Sequence, residues 1–185
     1  MDGQTMNPND LTSPPAPSAT VPDWTRERVQ PGRLCAGPRL VRAIRGYQYW
    51  RPRFGIIGRI FSIQAKLRHG FWSVVAGADI PITCRLGGGL VLPHPNGLVV
   101  HPDIRMGPNC MIFQQVTIGA SGGRPGVPTI GGHVDIGAGA KILGPVTIGD
   151  HARIGANAVV LCDVPAGAIA VGIPARIINN VAANA

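Results

Sequence analysis

The sequence predicts a mainly β protein, a parallel β-helix of six-residue repeats preceded by a small helical region. Beyond Asp79, aliphatic residues recur at every sixth position. The chain has 26 glycines, and only 5% of its residues are aromatic. Its core must therefore be built from small and β-branched side chains, which is not typical of a helical bundle.

The six-residue period decides the fold. Its inward positions carry an aliphatic series: Ile112, Ile118, Ile130, Ile136, Ile142, Ile148, Ile154 and Val160. Such a unit is too short for a strand, a helix and a connection, but it suffices for one short strand and a tight turn. Three units close a triangular coil, and each added coil extends the same core. From Ile80 to about Val171 there is room for roughly five coils of about 18 residues.

Two places interrupt the period. An earlier aliphatic series is two residues out of phase with the later one: Ile80, Leu86, Leu92 and Leu98. A short insertion near Val99 must therefore restore the register. The segment 120–129 carries Arg124 where an aliphatic is expected, although the count stays in phase. We expect this segment to be a loop that projects from the prism.

The composition divides the chain into four segments. Residues 1–30 are rich in Pro, Ser, Thr, Asn and Asp and are expected to form a disordered tail. Residues 31–77 carry apolar side chains at helical spacing and form a basic helical region, with a break near Pro52. Residues 78–178 form the β-helix, and residues 179–185 form a C-terminal tail.

The net charge of +8 is unevenly placed, because 11 of the 17 Lys and Arg residues fall between Arg26 and Arg68. Such a region can attract nucleic acid, anionic lipid or a phosphorylated ligand, and a solvated helical face is the ordinary alternative. No nucleic-acid-binding motif accompanies the charge, so we expect no nucleic acid partner. Peripheral membrane contact of the basic helices stays open.

The cysteines and histidines favour neither a disulfide framework nor a metal site. The four cysteines lie far apart without a CxxC pair, which favours a reduced, cytoplasmic compartment. No signal peptide and no long apolar run is present, so neither export nor membrane spanning is expected. The five histidines lack metal-ligand spacing. Four of them are expected to be structural or solvated: His69, His101, His133 and His151.

Several motifs carry a resemblance to a known family. They are Ala78-Asp-Ile80, Gly89-Leu-Val-Leu-Pro-His94, Gln115-Val-Thr-Ile-Gly119, Ile136-Gly-Ala-Gly-Ala-Lys141 and Val171-Gly-Ile-Pro-Ala-Arg176. Over residues 78–178 the chain resembles the hexapeptide-repeat acyltransferases, and specifically the serine acetyltransferase family. The resemblance implies left-handed coils and an acetyl-CoA-dependent O-acetyltransferase. It also implies a homotrimer or a dimer of trimers, with active sites between neighbouring subunits.

His94 is the candidate general base. Acetyl transfer to a hydroxyl needs a base near the acceptor oxygen, and the pKa of an unperturbed imidazole suits cellular pH. His94 lies in a polar turn that a purely structural coil would not require, and it matches the family's catalytic histidine. Asp79 matches the carboxylate that orients this histidine, and its separation of 15 residues is close to one coil. The alternative is an ordinary corner histidine with Asp79 as a cap.

The resemblance also assigns the acetyl-CoA site. The positions that match the family's coenzyme-binding residues are Ser121, Gly137, Ala138, Arg153 and Ala156, with Arg176 as a weaker candidate. Glycine and alanine allow a pantetheine arm to approach the backbone closely. The alternative is that Gly and Ala are simply what such repeats contain.

Departures from the family pattern leave the acceptor open. Pro93 replaces the acid that usually precedes the catalytic histidine, and the loop that ends at Ile130 lacks the usual Arg-His pair. The acceptor is therefore either L-serine or a sugar hydroxyl, as in relatives that decorate exopolysaccharides. Neutral candidates for sugar contacts are Asn96, Gln114, Gln115, Trp50 and Trp72. A non-catalytic β-helical scaffold is the third hypothesis.

The C-terminal sequence bears on one partner. In some relatives, binding to cysteine synthase relies on a tail that ends in isoleucine. This chain closes with residues 179–185, Asn-Asn-Val-Ala-Ala-Asn-Ala. We therefore expect no cysteine synthase complex.

Overall fold

A computed structural model describes residues 17–29, 35–51 and 55–178. These residues form a left-handed parallel β-helix with two α-helices at its N-terminal end, which confirms the predicted fold class. The helices are α1 (Ala36–Trp50) and α2 (Gly55–Ala76). The strands are β1 (Arg85–Leu86), β2 (Val99–Val100), β3 (Arg105–Met106), β4 (Met111–Ile112), β5 (Thr117–Gly119), β6 (Thr129–Ile130), β7 (Asp135–Ile136), β8 (Lys141–Leu143), β9 (Thr147–Ile148), β10 (Arg153–Ile154), β11 (Val159–Val160), β12 (Ile169–Val171) and β13 (Arg176–Ile178).

The strands form the three faces of a prism. The first face has the order β1-β3-β6-β9, the second has β4-β7-β10-β12-β13, and the third has β2-β5-β8-β11. From β1 to β12 the pairing is parallel, and only β13 runs antiparallel to its neighbour within the described sheets. Up to β12, strands that follow each other along the chain belong to different faces, so each full coil adds one rung to every face.

The aliphatic row predicted from the six-residue period is the core. All eight of its members are at most 3% exposed. Each fully buried isoleucine contributes about 1.5–3 kcal/mol by leaving water. Stacking the rows of successive coils therefore makes one continuous core from the helices to the C-terminal coil.

Helix α1 is fixed to the first coil by packing and by hydrogen bonds. Leu40 and Ile44 are fully buried and belong to the core of the β-helix. Arg45 donates from Nη1 to the carbonyl of Leu86 at 2.6 Å. A Cβ at Gly37 would lie 2.1 Å from the carbonyl oxygen of Leu92, so the close approach of helix and coil requires glycine there. Among the described residues, no helix has the length and hydropathy needed to cross a membrane.

The N-terminal segment differs from the predicted disordered tail. Residues 17–29 run along the edge between the first and second faces and include a 3-10 helix, Trp24–Glu27. Glu27 is paired with Arg45 at 2.9 Å, and its carboxylate accepts from the amide of Leu90 at 3.1 Å. These long-range contacts order a segment whose composition alone indicates disorder. Residues 1–16 and 30 of the predicted tail, and the C-terminal tail 179–185, lie outside the described residues.

The cysteines are unpaired and two of them are buried. All four are free thiols. Burial, reinforced by the carboxylates of Asp79 and Asp103, raises the pKa of Cys84 to about 11. Burial likewise raises the pKa of Cys110 to about 11. Both therefore remain neutral at cellular pH and serve as small apolar core residues.

Candidate active site

The second and third faces meet along one edge of the prism, which we call the His94 edge. It consists of four stacked corners: residues 93–97, 113–115, 137–139 and 155–157. Backbone hydrogen bonds of 2.8–2.9 Å join each corner to the next, with amides of the later corner donating to carbonyls of the earlier one: Gln115 to Asn96, Gly139 to Gln114, and Asn157 to Ala138. The edge is therefore a continuous, regular column of backbone.

The corner that carries His94 is enlarged. Val91 pairs with Met111, 20 residues later, whereas Val99 pairs with Thr117, only 18 residues later. The chain therefore uses two more residues to turn this corner than to turn the one in the next coil. This is the predicted insertion near Val99, and it holds His94 exposed at the edge. The irregularity in the period and the candidate base thus coincide.

Asp79 lies beside the same edge, one coil earlier. It begins the third face and forms a parallel bridge with Val99 in the next coil. The carbonyl of Gly77, two residues before it, accepts from the amide of Gly97 in the His94 corner at 2.7 Å. Asp79 and His94 are both exposed, and among the described residues no hydrogen bond or ion pair joins their side chains. The structure thus places both groups at one edge, in consecutive coils and without a direct bond.

Three of the predicted coenzyme residues lie on the His94 edge. Gly137 and Ala138 form its third corner, and Ala156 lies in its fourth. Since parallel strands are about 4.8 Å apart, the third corner is about 10 Å along the edge from His94. A Cβ at Gly137 would lie 2.6 Å from the amide nitrogen of Ala156, so glycine is required by the stacking itself. Because these residues carry little or no side chain, no large group projects from this part of the edge, and an extended ligand can lie along it.

Two cations flank the small-residue corners. Arg153 is exposed on the second face, two residues before the fourth corner. Lys141 begins β8 on the third face, and its Nζ donates to the carbonyl of Gln115 on the His94 edge at 2.6 Å. The family resemblance predicted Arg153 for the coenzyme site and gave no role to Lys141. The place of Lys141 two residues after the third corner is the feature that suggests one.

Ser121 lies away from the His94 edge in the single chain, and Arg176 lies at the far end of that edge. Ser121 is bridged to Arg124 within the projecting loop, and its Oγ lies next to Gly144. This loop joins the third face to the first, so Ser121 is on a different edge from His94. Arg176 begins β13, is exposed, and pairs with Val171, which stacks on Gly155 of the fourth corner. One copy of the chain therefore brings Arg176, but not Ser121, to the far end of the His94 edge.

Gln114 carries an unusual buried oxygen on the His94 edge. Its Oε1 is fully buried and accepts no hydrogen bond within the described part of the chain. A buried acceptor without a donor costs about 1–3 kcal/mol. The side chain would have to turn outward before this oxygen could accept from a ligand on the edge.

A second feature adjoins the edge at Pro93, the residue before His94. A pocket of about 220 Å³ opens there between the N-terminal segment and the second face. Its lining includes the guanidinium-bearing residues Arg26 and Arg28 together with Leu92 and Pro93. The pocket thus places two positively charged residues of the N-terminal segment in one cavity with Pro93, a connection that the sequence did not indicate.

Comparisons with known proteins place the chain among known relatives. Residues 128–162 match the family model described as bacterial transferase hexapeptide, six repeats. A serine acetyltransferase of Synechococcus elongatus is 39% identical over 131 residues, which cover 70% of this chain and 51% of that protein. The chain is a hexapeptide-repeat relative of the serine acetyltransferases.

Solved structures of serine acetyltransferases share the fold. The Brucella abortus strain S19 enzyme in complex with coenzyme A matches with a TM-score of 0.67 and 33% identity, over 80% of this chain and 57% of that one. A serine acetyltransferase in complex with cysteine matches with a TM-score of 0.66 and 34% identity, over 79% of this chain and 59% of that one. The resemblance read from the motifs is confirmed. The chain spans about half the length of the relatives it matches.

The other histidines of this serine acetyltransferase relative make structural contacts. The amide of Asp103 donates to Nδ1 of His101 at 3.2 Å, and Nε2 of His69 donates to the carbonyl of Ile80 at 2.8 Å. Within the described residues, no group of three or more His, Cys, Asp and Glu side chains could hold a metal ion. Of the described histidines, His94 is the one placed on the candidate edge.

His133 and His151 form a pair on the edge between the first and second faces. Their Nδ1 atoms are 2.8 Å apart, so one ring donates and the other must be neutral to accept. Burial lowers the pKa of His133 below its ordinary value of 6.5, and the charge of His151 acts in the same direction. Both residues have positive φ, which Asn tolerates.

Because of this pair, we expect stability to fall as the pH drops. A lowered pKa in the folded state means that the unfolded chain binds the proton more readily, so the contribution is complete above about 6.5 and is lost below it. The loss should stay under about 1 kcal/mol, because the pair is partly exposed and solvent screens it. His133→Asn keeps the backbone conformation and should flatten the dependence of Tm on pH between neutral and about pH 5. An unchanged slope in this variant would contradict the assignment.

Proposed function

We propose that this chain transfers the acetyl group of acetyl-CoA to the hydroxyl of L-serine, with His94 as the general base. One observation carries the proposal. A single edge gathers an exposed histidine on an enlarged corner with the small-residue corners at Gly137 and Ala156. Serine acetyltransferases of the same fold, including one in complex with coenzyme A, support the choice of reaction and donor.

In this mechanism His94 moves one proton. Acetyl-CoA supplies the reactive thioester carbonyl. His94 removes the proton of the acceptor hydroxyl while the hydroxyl oxygen bonds to the carbonyl carbon. Its imidazolium then gives that proton to the sulfur as the carbon–sulfur bond breaks, so the products are the O-acetyl ester and the free thiol. Asp79, as an anion one coil away, would orient the ring and stabilise its charged form.

The proposed coenzyme site follows the edge away from His94. Gly137, Ala138 and Ala156 would line the arm that carries the thioester, since none of them projects a large side chain into its path. Arg153 and Lys141 would bind the phosphates at the far end, because charge-assisted hydrogen bonds to phosphate are the strong ones. The edge thus offers both things that an elongated, anionic coenzyme requires: space for its arm and cations for its phosphates.

We infer that the site is completed by another copy of the chain. Ser121 and His94 lie on different edges of one prism, so a site that uses both needs Ser121 from a neighbouring subunit. A homotrimer provides this arrangement three times, and a dimer of trimers provides it six times. We place the activity in the cytoplasm, for which the four free cysteines are one support.

Ala156→Phe tests the coenzyme site. Ala156 is exposed, so the larger side chain should not disturb the core. The ring would occupy the edge where the arm is proposed to lie, and the KM for acetyl-CoA should rise by about tenfold or more, the equivalent of about 1.4 kcal/mol. Steady-state kinetics by thiol release measure it. Ala166→Phe is the matched control, because Ala166 is also exposed but lies on another edge. An equal rise in both variants would exclude the proposed site.

Two observations bear on the acceptor. The pocket beside Pro93 carries Arg26 and Arg28, which favours an acceptor with a carboxylate and therefore L-serine. The neutral side chains on the edge, Asn96, Gln114 and Gln115, favour the second candidate, a sugar hydroxyl in exopolysaccharide synthesis. The two acceptors differ in charge, so they can be separated by one substitution.

The deciding experiment measures CoA release from acetyl-CoA with L-serine and with a panel of neutral sugars. We expect turnover with L-serine, and Arg28→Gln should raise the KM for serine while leaving the KM for acetyl-CoA unchanged. Turnover with sugars alone would establish the second candidate. If no CoA is released with any of these hydroxyl acceptors, both candidates are wrong and the non-catalytic scaffold remains.

A further inference from the structure

Helix α2 exposes a long apolar face to solvent, which we call the outer α2 face. Its six side chains are each between 52% and 83% exposed: Ile56, Ile60, Ile63, Leu67, Phe71 and Val74. Contiguous apolar surfaces of this extent normally mark a binding site. From this face and its charges we propose that the protein docks on a membrane surface that is rich in anionic phospholipid.

The apolar side chains lie on the side of α2 that faces away from the protein. At about 100° per residue they fall within a stripe about 80° wide. The buried positions lie on the opposite side of the helix and are all small: Gly58, Ser62, Ala65 and Ala76. A helix that only packs on its own domain has the reverse arrangement, with large apolar residues inside. The outer α2 face is therefore not explained by the folding of this chain.

The positive charges beside the outer α2 face favour a negatively charged partner. Arg59, Lys66 and Arg68 flank the stripe, and the sequence has no Asp or Glu between Glu27 and Asp79. A second copy packed face to face would set these cations against one another without compensation. An anionic phospholipid surface instead offers acyl chains to the stripe and negative headgroups to the cations. Charge complementarity thus favours lipid over self-association.

A cationic cleft lies at one border of the outer α2 face. It has a volume of about 470 Å³ between α1 and α2, and its lining includes Arg51, Arg59, Ser62, Ile63 and Lys66. Because Ile63 belongs to both the cleft and the apolar stripe, the two features are continuous. A phosphate headgroup in the cleft would leave its acyl chains beside the stripe, which is the geometry of a lipid lying at the interface.

The cations of the cleft are held in place by an aromatic ring. Lys66 Nζ lies 5.5 Å from the centre of the Tyr47 ring, and the guanidinium of Arg51 lies 5.5 Å from it as well. Cation–π contacts of this kind fix the charges while leaving their outer sides open to an anion. The side of α2 opposite the outer α2 face is turned toward the β-helix, where His69 contacts Ile80.

Vesicle sedimentation with the full chain tests this inference independently of catalysis. We expect binding to vesicles of equal parts phosphatidylglycerol and phosphatidylcholine, and at least about tenfold weaker binding to phosphatidylcholine alone. Salt should weaken the binding. The double variant Ile60→Glu/Leu67→Glu should lower it at least about tenfold, because each side chain then no longer enters the apolar layer. Ile173→Glu is the matched control, since Ile173 is 74% exposed but lies on the β-helix.

The outcomes are distinct. Loss of binding in the double variant but not in the control, with the unfolding temperature unchanged, supports the proposal. No binding to either vesicle, or equal binding to both, overturns it. A third result also overturns it: light scattering shows that the unaltered chain is an oligomer and the double variant is not, while neither protein binds vesicles. A second copy of the chain would then cover the outer α2 face. Turnover in solution should be the same in the double variant and the unaltered chain, so failure of the proposed acetyl transfer would leave this test intact.

Discussion

Replacing His94 with alanine is expected to lower kcat for acetyl transfer by about 10²–10⁴-fold, the usual contribution of a general base. The KM for acetyl-CoA should change little, because the coenzyme residues lie two to three coils further along the edge. His94 is exposed and makes no core contact, so the fold should be unaffected. Thiol release at saturating acetyl-CoA, with circular dichroism of the same samples, measures both effects.

His151→Asn provides the control for this substitution. His151 is also an exposed corner histidine, but it lies on the edge between the first and second faces. Asn accepts its positive φ of 59°, so we expect full activity. If His94→Ala retained kcat within a few fold, or if both variants lost it equally, His94 would not be the base.

Asp79 is expected to act through His94. Asp79→Asn should lower kcat by less than His94→Ala does, because the base itself remains. In the double variant Asp79→Asn/His94→Ala the two effects should not add, since the carboxylate has no ring left to orient. Additive losses would mean that Asp79 acts by some other route, such as capping the first coil.

The sequence was most informative where one spacing repeats. The inward aliphatic row could be read directly because each coil places a residue at the same position on the coil before it, so a period of six has few structural solutions. The out-of-phase series ending at Leu98 also located the insertion. The structure adds that the two extra residues enlarge the corner that holds His94, which gives the irregularity a chemical interpretation.

The sequence did not predict which edge of the prism each site residue occupies. Ser121 and Ala156 both match family positions, but a linear pattern does not say that they occupy different edges of one prism. For the helical region, periodicity predicted helices near Ile56 and Ile60 without saying which stripe faces the β-helix. That choice depends on the elements that pack against α2, where only small side chains of this helix become buried.

Composition could not reveal the ordered part of the N-terminal segment. Residues 17–29 have few apolar side chains and would not bury enough surface to order themselves. Their order depends on Asn109, which is 0% exposed and lies in the β-helix. Its Oδ1 accepts from the amide of Asp23 at 2.8 Å, and its Nδ2 donates to the carbonyls of Ser18 and Val21 at 2.7 and 2.8 Å. One distant side chain thus satisfies three backbone groups of the segment.

Asn109→Gly should therefore lower the free energy of unfolding by about 1–3 kcal/mol, because buried backbone groups lose their partners. Asn109→Ala should cost about 1–2 kcal/mol more, since φ is 62° at this position and alanine is strained there. Thermal unfolding gives the totals, and hydrogen exchange of residues 17–29 should rise sharply in both variants. Asn157→Ala is the control: its φ is 57° but its side chain is exposed, so it should carry the backbone cost alone. Unchanged protection of residues 17–29 in Asn109→Gly would show that other contacts, such as the pair of Glu27 with Arg45, hold the segment in place.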